Sequence, residues 1–268
     1  LIKTVFPLSR IPIFIDQKKP LAQHPIMVML FSVLALMADG LETETLLAYA
    51  KTGYAGLKQD EVDTLENFAL AGRLRRSDWL DEKRFLQRAD SVFYETEDYT
   101  AVDADAAEAL LELRSRLLTP LEHLRAQLGQ SKHLRDRAAA LFGFFEEIEL
   151  YQTVEAEVTH LKEENELQAA QEHGEIYNLL LGLLDELVTA FGDDVIGLSR
   201  LQTIITAGLA QCEISTIPPG SDQVIFGDLG RSLVKNVKLL FVIGTNDTAF
   251  NFSPFSAFDV NTFAAANS

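Results

Sequence analysis

The sequence holds a single cysteine, Cys212, among its 268 residues. That excludes an internal disulfide and any zinc or cluster site built from several thiolates of this chain. Cys212 itself reads as a small buried residue, not a nucleophile. Long apolar runs are also missing. The most apolar stretch, Ile26 to Ala38, falls well short of the roughly 20 residues that span a bilayer, so a buried helix explains it better than a membrane role. No Gly-Lys-Ser/Thr and no G-x-G-x-x-G occurs, which leaves no glycine-rich cradle for nucleotide phosphates. No G-x-S-x-G elbow supports a hydrolase triad. The histidines His24, His123, His133, His160 and His173 never form the i, i+4 pair around a glutamate that zinc hydrolases use. Basic residues are scarce: 23 Lys and Arg face 40 Asp and Glu, a net charge of -17. Such a chain repels polyanions at long range unless its cations share one face. No signal peptide pattern is present and the first residue is Leu1, so the expectation is an excised piece of a longer cytoplasmic protein.

What is present is an ordinary globular composition, 47% hydrophobic and 24% charged, with length for one or two domains. Arg10 to Asp16 is a short apolar run with Pro12 near its start, which suits a strand. His24-Pro25 then introduces Ile26, Met29, Leu30, Val33, Leu34 and Met37 at helical spacing, and Asp39-Gly40 stops the helix. From 41 to 211 the pattern is helical, with candidates at 43–52, 59–71, 104–118, 120–149, 150–172, 175–191 and 195–211. Thr119-Pro120-Leu121-Glu122 has the form of a helix start with N-cap, N1 proline and capping-box glutamate. The stripe from Ile176 to Phe191 predicts a helix closed by Gly192 as a left-handed cap. After Ile217-Pro218-Pro219-Gly220, the runs 223–226 and 238–244 read as two further strands. Strands at both ends with helices between predict a mainly α chain with a small α/β part. In that arrangement, 1–40 and 212–250 share one sheet, 41–211 is a helical insertion and 251–268 is a tail of unassigned structure.

No residue is assigned a catalytic, cofactor-binding or metal-ligating role. Leu183-Leu184-Asp185-Glu186 superficially resembles a helicase metal motif, but it lies inside a helical stripe and reads as a solvated face. The glutamate groups at 146–149 and 163–166 are spread around their helices and read the same way. The notable basic stretch runs through Arg73, Arg75, Arg76, Lys83, Arg84 and Arg88 with Trp79 and Phe85 interleaved, as a single-strand binding surface has. Asp78, Asp81 and Glu82 dilute it. A second group, Lys132, Arg135 and Arg137, offers phosphate contacts or a plain exposed helix.

Three blocks carry a family resemblance. Ile11-Pro12-Ile13-Phe14-Ile15-Asp16-Gln17-Lys18 with His24-Pro25 resembles the I-P-x-F-x-D-x-K and H-P signature of AddB/RexB-type B subunits of bacterial helicase-nucleases. Lys51-Thr52-Gly53, then Asp63, Leu65-Glu66-Asn67, then Trp79 resemble that family's K-T-G, D-x-L-E-N and downstream Trp. Ile217-Pro218-Pro219, Asp222-Gln223-Val224, Gly227-Asp228-Leu229, Arg231-Ser232 and Val242-Ile243-Gly244-Thr245-Asn246-Asp247 follow the family's carboxyl-side order. Beyond Phe250 the chain departs from it, reading Asn251-Phe252-Ser253-Pro254 where the family has a proline directly after the Phe.

The resemblance implies a helicase-like second motor domain, degenerate in its motor motif at Gln223 to Ser232 and interrupted by the helical insertion. It further implies a role in double-strand break repair and scanning for a recombination hotspot, with a motor and nuclease A subunit and single-stranded DNA as partners. The family's Walker region, nuclease residues and iron–sulfur cysteines have no counterpart in this sequence. Asp228 and Arg231 are then either channel-facing polar residues or a local ion pair. Gln223 and Asn246 are strand-end residues, and Gly227 and Gly244 turn formers. The rival reading is a structural interaction module whose acidic helices bind a partner without touching DNA. A third reading, an autonomous ATP-dependent helicase, lacks the phosphate loop it needs.

Overall fold

The computed structural model describes residues 2–15, 21–94, 104–211, 224–227 and 238–243. Its elements, in chain order, are α1 (Ile2–Leu8), β1 (Ile13–Ile15), a 3-10 turn (Leu21–Gln23), α2 (Pro25–Ala38), α3 (Thr43–Ala50), α4 (Gln59–Ala71), α5 (Arg76–Leu80), α6 (Glu82–Tyr94), α7 (Ala104–Gln130), α8 (Leu134–Glu147), α9 (Leu150–Glu163), α10 (Leu167–Phe191), α11 (Leu198–Gln211) and β2 (Val224–Phe226). The chain divides into two units, Leu1–Phe226 and Gly227–Ser268. The mainly α class predicted from the pattern is what forms.

Helix α2 organises the first unit. His24 has extended backbone and its Nδ1 accepts the Ile26 N–H, so the imidazole caps the helix while Pro25 fills the first turn, where no N–H is needed. At the other end Gly40 has φ +103, a conformation open to glycine and strained for other residues. Between the caps no residue from Ile26 to Ala38 is exposed. Met27 and Leu36 are as buried as Ile26 and Leu30, so the one-sided stripe of the sequence becomes a helix covered all round. Helices α3 and α11 and the 3-10 turn pack against it. One contiguous hydrophobic core runs from Ile26 to Leu209 without a break at residue 40.

β1 and β2, predicted from the two ends of the sequence, do share a sheet: they pair in parallel with Ile13 opposite Val224 and Ile15 opposite Phe226. The expected strand at 238–244 does not form within the described residues. Lys238–Ile243 is irregular, and Leu239, Phe241 and Ile243 are largely exposed, with no strand pairing to them among the described residues.

Several helix boundaries also differ from the pattern. No break occurs at Thr119-Pro120. Helix α7 runs through Pro120, because Leu117, Leu118, Leu121 and Leu124 are all buried along it and tertiary packing outweighs the local start signal. The expected 120–149 helix instead breaks at 131–133. The division expected at 172–175 falls at 164–166, where Asn165 takes φ +62. The Glu166 N–H reaches the Leu161 carbonyl and the Asn165 N–H the Lys162 carbonyl, which makes a Schellman ending with asparagine in the glycine position. Gly192 is right-handed, φ -56, so glycine is needed there for another reason: a Cβ would lie 2.4 Å from the Val188 carbonyl oxygen. Helices α1, α5 and α6 add to those the pattern predicts.

Pro120 removes the N–H that would reach the Arg116 carbonyl. Pro120→Ala is expected to stabilise the chain by about 1–3 kcal/mol, read as a higher urea midpoint with an unchanged slope.

Candidate nucleic-acid interface

The turn between α4 and α5 carries Arg73, Arg75 and Arg76, and its shape follows from how α4 ends. The Leu74 N–H reaches back to the Ala69 carbonyl and the Arg73 N–H to the Leu70 carbonyl, a second Schellman ending that puts Arg73 at φ +46. Leu74 is buried and locks the turn onto the core. Asp78, 5% exposed, accepts the Arg75 N–H at 2.9 Å through its carboxylate and so fixes the start of α5. From beneath, the Trp79 indole N–H donates to Thr43 Oγ1 at 2.9 Å, and the Thr43 hydroxyl donates to the Leu74 carbonyl at 2.8 Å.

Trp79 therefore does not belong to an exposed stacking surface. It is fully buried, with its ring 5.5 Å from that of Phe85, which in turn meets Phe68 at 4.9 Å. The Arg114 guanidinium lies 5.7 Å from the Phe85 ring centre and donates to the Trp79 carbonyl.

The three arginines themselves are exposed, and among the described residues no carboxylate pairs with any of them. Arg76 is held in place all the same: its guanidinium lies over Gly40, where a Cβ would come within 2.3 Å of Nη1. That sets a cation at the carbonyl end of α2, the favourable end of the helix dipole. The rest of the basic stretch is partly occupied. Arg88 lies 3.5 Å from Asp78 and Arg84 lies 3.7 Å from Asp81, while Asp81 Oδ1 accepts the Lys83 and Arg84 N–H groups as the cap of α6. The second basic group is not a cluster of free cations. Arg135 pairs with Asp193 at 2.6 Å, and Arg137 donates to the Ser131 carbonyl, its guanidinium pKa pulled down by burial. Lys132 is exposed.

A separate polar cluster joins four elements. The Tyr54 hydroxyl donates to Glu157 Oε2 at 2.7 Å. His173 Nδ1 lies 3.4 Å from the same oxygen, an ion-pair distance, and the His173 ring meets that of the helix-capping His24 edge-on at 4.5 Å. Burial, and then the hydrogen bond to Glu157, drive the Tyr54 phenol far above its usual range. For Glu157 burial pushes the carboxyl up, but His173 and Tyr54, with the charge of His173 and His24, outweigh it and hold the group below its ordinary value. The cluster fastens the loop after α3 to α9 and α10. Among the described residues no three of His, Cys, Asp or Glu converge to hold a metal ion, and no helix is long and apolar enough to cross a membrane.

No family model matches the chain. Its sequence is 30% identical over 250 residues to the B subunit of the ATP-dependent helicase/deoxyribonuclease of Clostridium botulinum, an alignment that covers 93% of this chain and 22% of that protein. The corresponding protein of Pelotomaculum thermopropionicum is 30% identical over 264 residues, covering 98% of this chain and 23% of its own length. That of Clostridioides difficile is 27% identical over 250 residues, covering 93% and 21%. Over nearly its whole length the chain is similar to helicase/deoxyribonuclease B subunits. It spans about a fifth of the length of the curated relatives it matches.

The family's motif residues can be followed into the fold. Pro12 precedes β1, and its carbonyl accepts the Val224 N–H. His24 and Pro25 start α2. Lys51 of the K-T-G block pairs with Glu66 of the L-E-N block, Thr52 Oγ1 donates to the Tyr49 carbonyl, and Gly53 has φ +85. The blocks from two separate stretches are thus tied into one corner, with Trp79 in the core behind the arginine turn. Gly227 is exposed. Asp16, Gln223, Asp228, Arg231, Gly244 and Asn246 lie outside the described residues.

Residues that the sequence pattern does not single out include Thr43, Arg114, Arg116 and Arg125, and Tyr54 with Glu157. Arg116 grips Glu61 at 2.8 Å and reaches the Gly56 carbonyl, while Arg125 donates to the Leu36 carbonyl near the end of α2 at 2.6 Å. Tyr54 follows directly on K-T-G, which is the one signal that points to it.

A depressed carboxyl contributes stability that is present above its unfolded value and lost as the pH falls through its folded one. For Glu157 the window opens below its ordinary value of 4.5. Acidification below that point is expected to lower the melting temperature of the wild type more steeply than that of Glu157→Gln, and parallel curves would show that the cluster does not couple to stability.

Proposed function

We propose that this chain is a non-catalytic part of a bacterial helicase-nuclease subunit acting in double-strand break repair and recombination, in the cytoplasm, where it helps shape a channel for single-stranded DNA and docks the motor and nuclease A subunit. The observation that carries the DNA reading is the α4–α5 turn, with three exposed guanidiniums that no carboxylate of the described residues neutralises, on a backbone fixed by Asp78, Leu74 and Trp79. A fixed backbone lowers the ordering cost of bringing these guanidiniums to phosphates. The relatives are named as helicase/deoxyribonuclease subunits, which supports a DNA-processing setting. The parallel β1–β2 pair supports the further reading that 1–40 and 212–250 build one discontinuous, helicase-like α/β domain around the helical body. No catalytic group, metal or cofactor is assigned to this segment. Chemistry belongs, on this reading, to other parts of the complex.

The rival reading, a structural module that binds only protein, draws on the net charge of -17 and on the exposed apolar run Leu239–Ile243. Titrating labelled single-stranded DNA with the chain at low and moderate salt, followed by fluorescence anisotropy, separates the two. Saturable, salt-sensitive binding that weakens about tenfold or more in Arg73→Ala/Arg75→Ala/Arg76→Ala is expected, since each lost phosphate contact also removes released counterions. A folded chain that binds no DNA at low salt leaves the protein-docking reading.

A further inference from the structure

An arginine turn can contact a nucleic acid through its phosphates, its bases or both, and the aromatic residues around it decide which. Base stacking needs an exposed ring face. Around the α4–α5 turn Phe68 is 6% exposed, and Trp79 and Phe85 are fully buried. Their faces are spent on one another and on Arg114. The exposed residues at the turn are Arg73, Arg75 and Arg76, with Leu70, Ala71, Ser77 and Leu80 beside them. No asparagine, glutamine or aromatic side chain other than buried Trp79 occurs in residues 69–80, so any base contact from this stretch falls to the arginines and Ser77, with no aromatic ring to stack on.

Arg73 adds an independent observation. It occupies the left-handed position of the Schellman ending, φ +46, where a side chain is strained and glycine is not. Gly72, one residue earlier, is right-handed at φ -76. Local folding would be better served by glycine at 73. Among the described residues the arginine there makes no ion pair or side-chain hydrogen bond that serves the fold, and the residue is exposed. Strain kept at a residue that does nothing for the fold is the mark of a functional position.

Resting on the DNA-facing role proposed above, we infer that the α4–α5 turn is a sequence-blind phosphate contact: it grips the sugar–phosphate backbone through Arg73, Arg75 and Arg76 alone, and holds duplex as readily as single-stranded DNA. The rigid seat under Arg76 at Gly40 and the Asp78 clamp on Arg75 set the spacing of the cations, and the neighbouring leucines offer no hydrogen bond to a base.

The test compares three labelled probes of equal length by anisotropy with the whole chain: a thymidine strand, an abasic strand with the same phosphates, and a duplex. The abasic and thymidine strands are expected to bind within about threefold of each other, because stacking on an aromatic ring is missing. The slope of log affinity against log salt is expected to shrink by roughly 2 to 3 in the triple-alanine variant. Arg73→Gly separates binding from folding. It relieves the left-handed strain, so its melting temperature is expected to equal or exceed that of the wild type while its affinity for all three probes falls. Abasic binding weaker by about tenfold or more would overturn the inference while leaving DNA binding at the turn intact. An Arg73→Gly variant that binds as tightly as the wild type would overturn the role given to Arg73. Failure of the wild type to bind any probe would remove the underlying DNA reading as well.

Discussion

A helix without a polar face has to be enclosed, and α2 is such a helix. Any arrangement that left one side of Ile26 to Ala38 in water would expose large aliphatic side chains, at about 25 cal/mol for each Å² of apolar surface. The rest of the first unit follows from that constraint. Helices α3 and α11 close on α2 from stretches far apart in sequence, and the core continues through them to Leu209. Upstream of α2 in the sequence, Ile13–Ile15 pairs in parallel with Val224–Phe226.

Carbonyl groups near helix ends and in the loops between helices need partners, and arginines of α7 bond several of them. Arg125 reaches the Leu36 carbonyl at the end of α2, Arg116 the Gly56 carbonyl in the loop before α4, and Arg114 the Trp79 carbonyl in α5. The arginines of α7 are therefore consumed by the fold. Those of the α4–α5 turn are not, although Trp79 and Asp78 beneath them are. Here the same residue type does two kinds of work, and what separates them is whether a carbonyl or carboxylate of the chain has already claimed the guanidinium. Net charge alone, at -17, hides that local distinction.

Much of this architecture can be read from the sequence because it depends on short-range pattern. The His24-Pro25 start, the Asp39-Gly40 stop and the apolar runs that become β1 and β2 are local signals, although the two runs that pair lie far apart in the chain. Pro120 misleads because its start-of-helix form is real, yet the leucines on both sides of it are buried in one continuous helix. Trp79 misleads because an aromatic set among arginines has the composition of a nucleic-acid surface, and composition carries no information about which way a ring points. Tyr54 and Glu157 are separated by 103 residues and held by one 2.7 Å hydrogen bond, a contact that no spacing rule reaches. The family resemblance, by contrast, is legible as far as Phe250, since it rests on residues in order and not on their geometry.

The enclosure of α2 is most directly tested by hydrogen exchange of its backbone amides in the native state. Leu30, Phe31, Val33 and Leu34 should exchange only with global unfolding, matching the stability from denaturant titration. Exchange of these amides through local opening, well below that free energy, would contradict an α2-centred core.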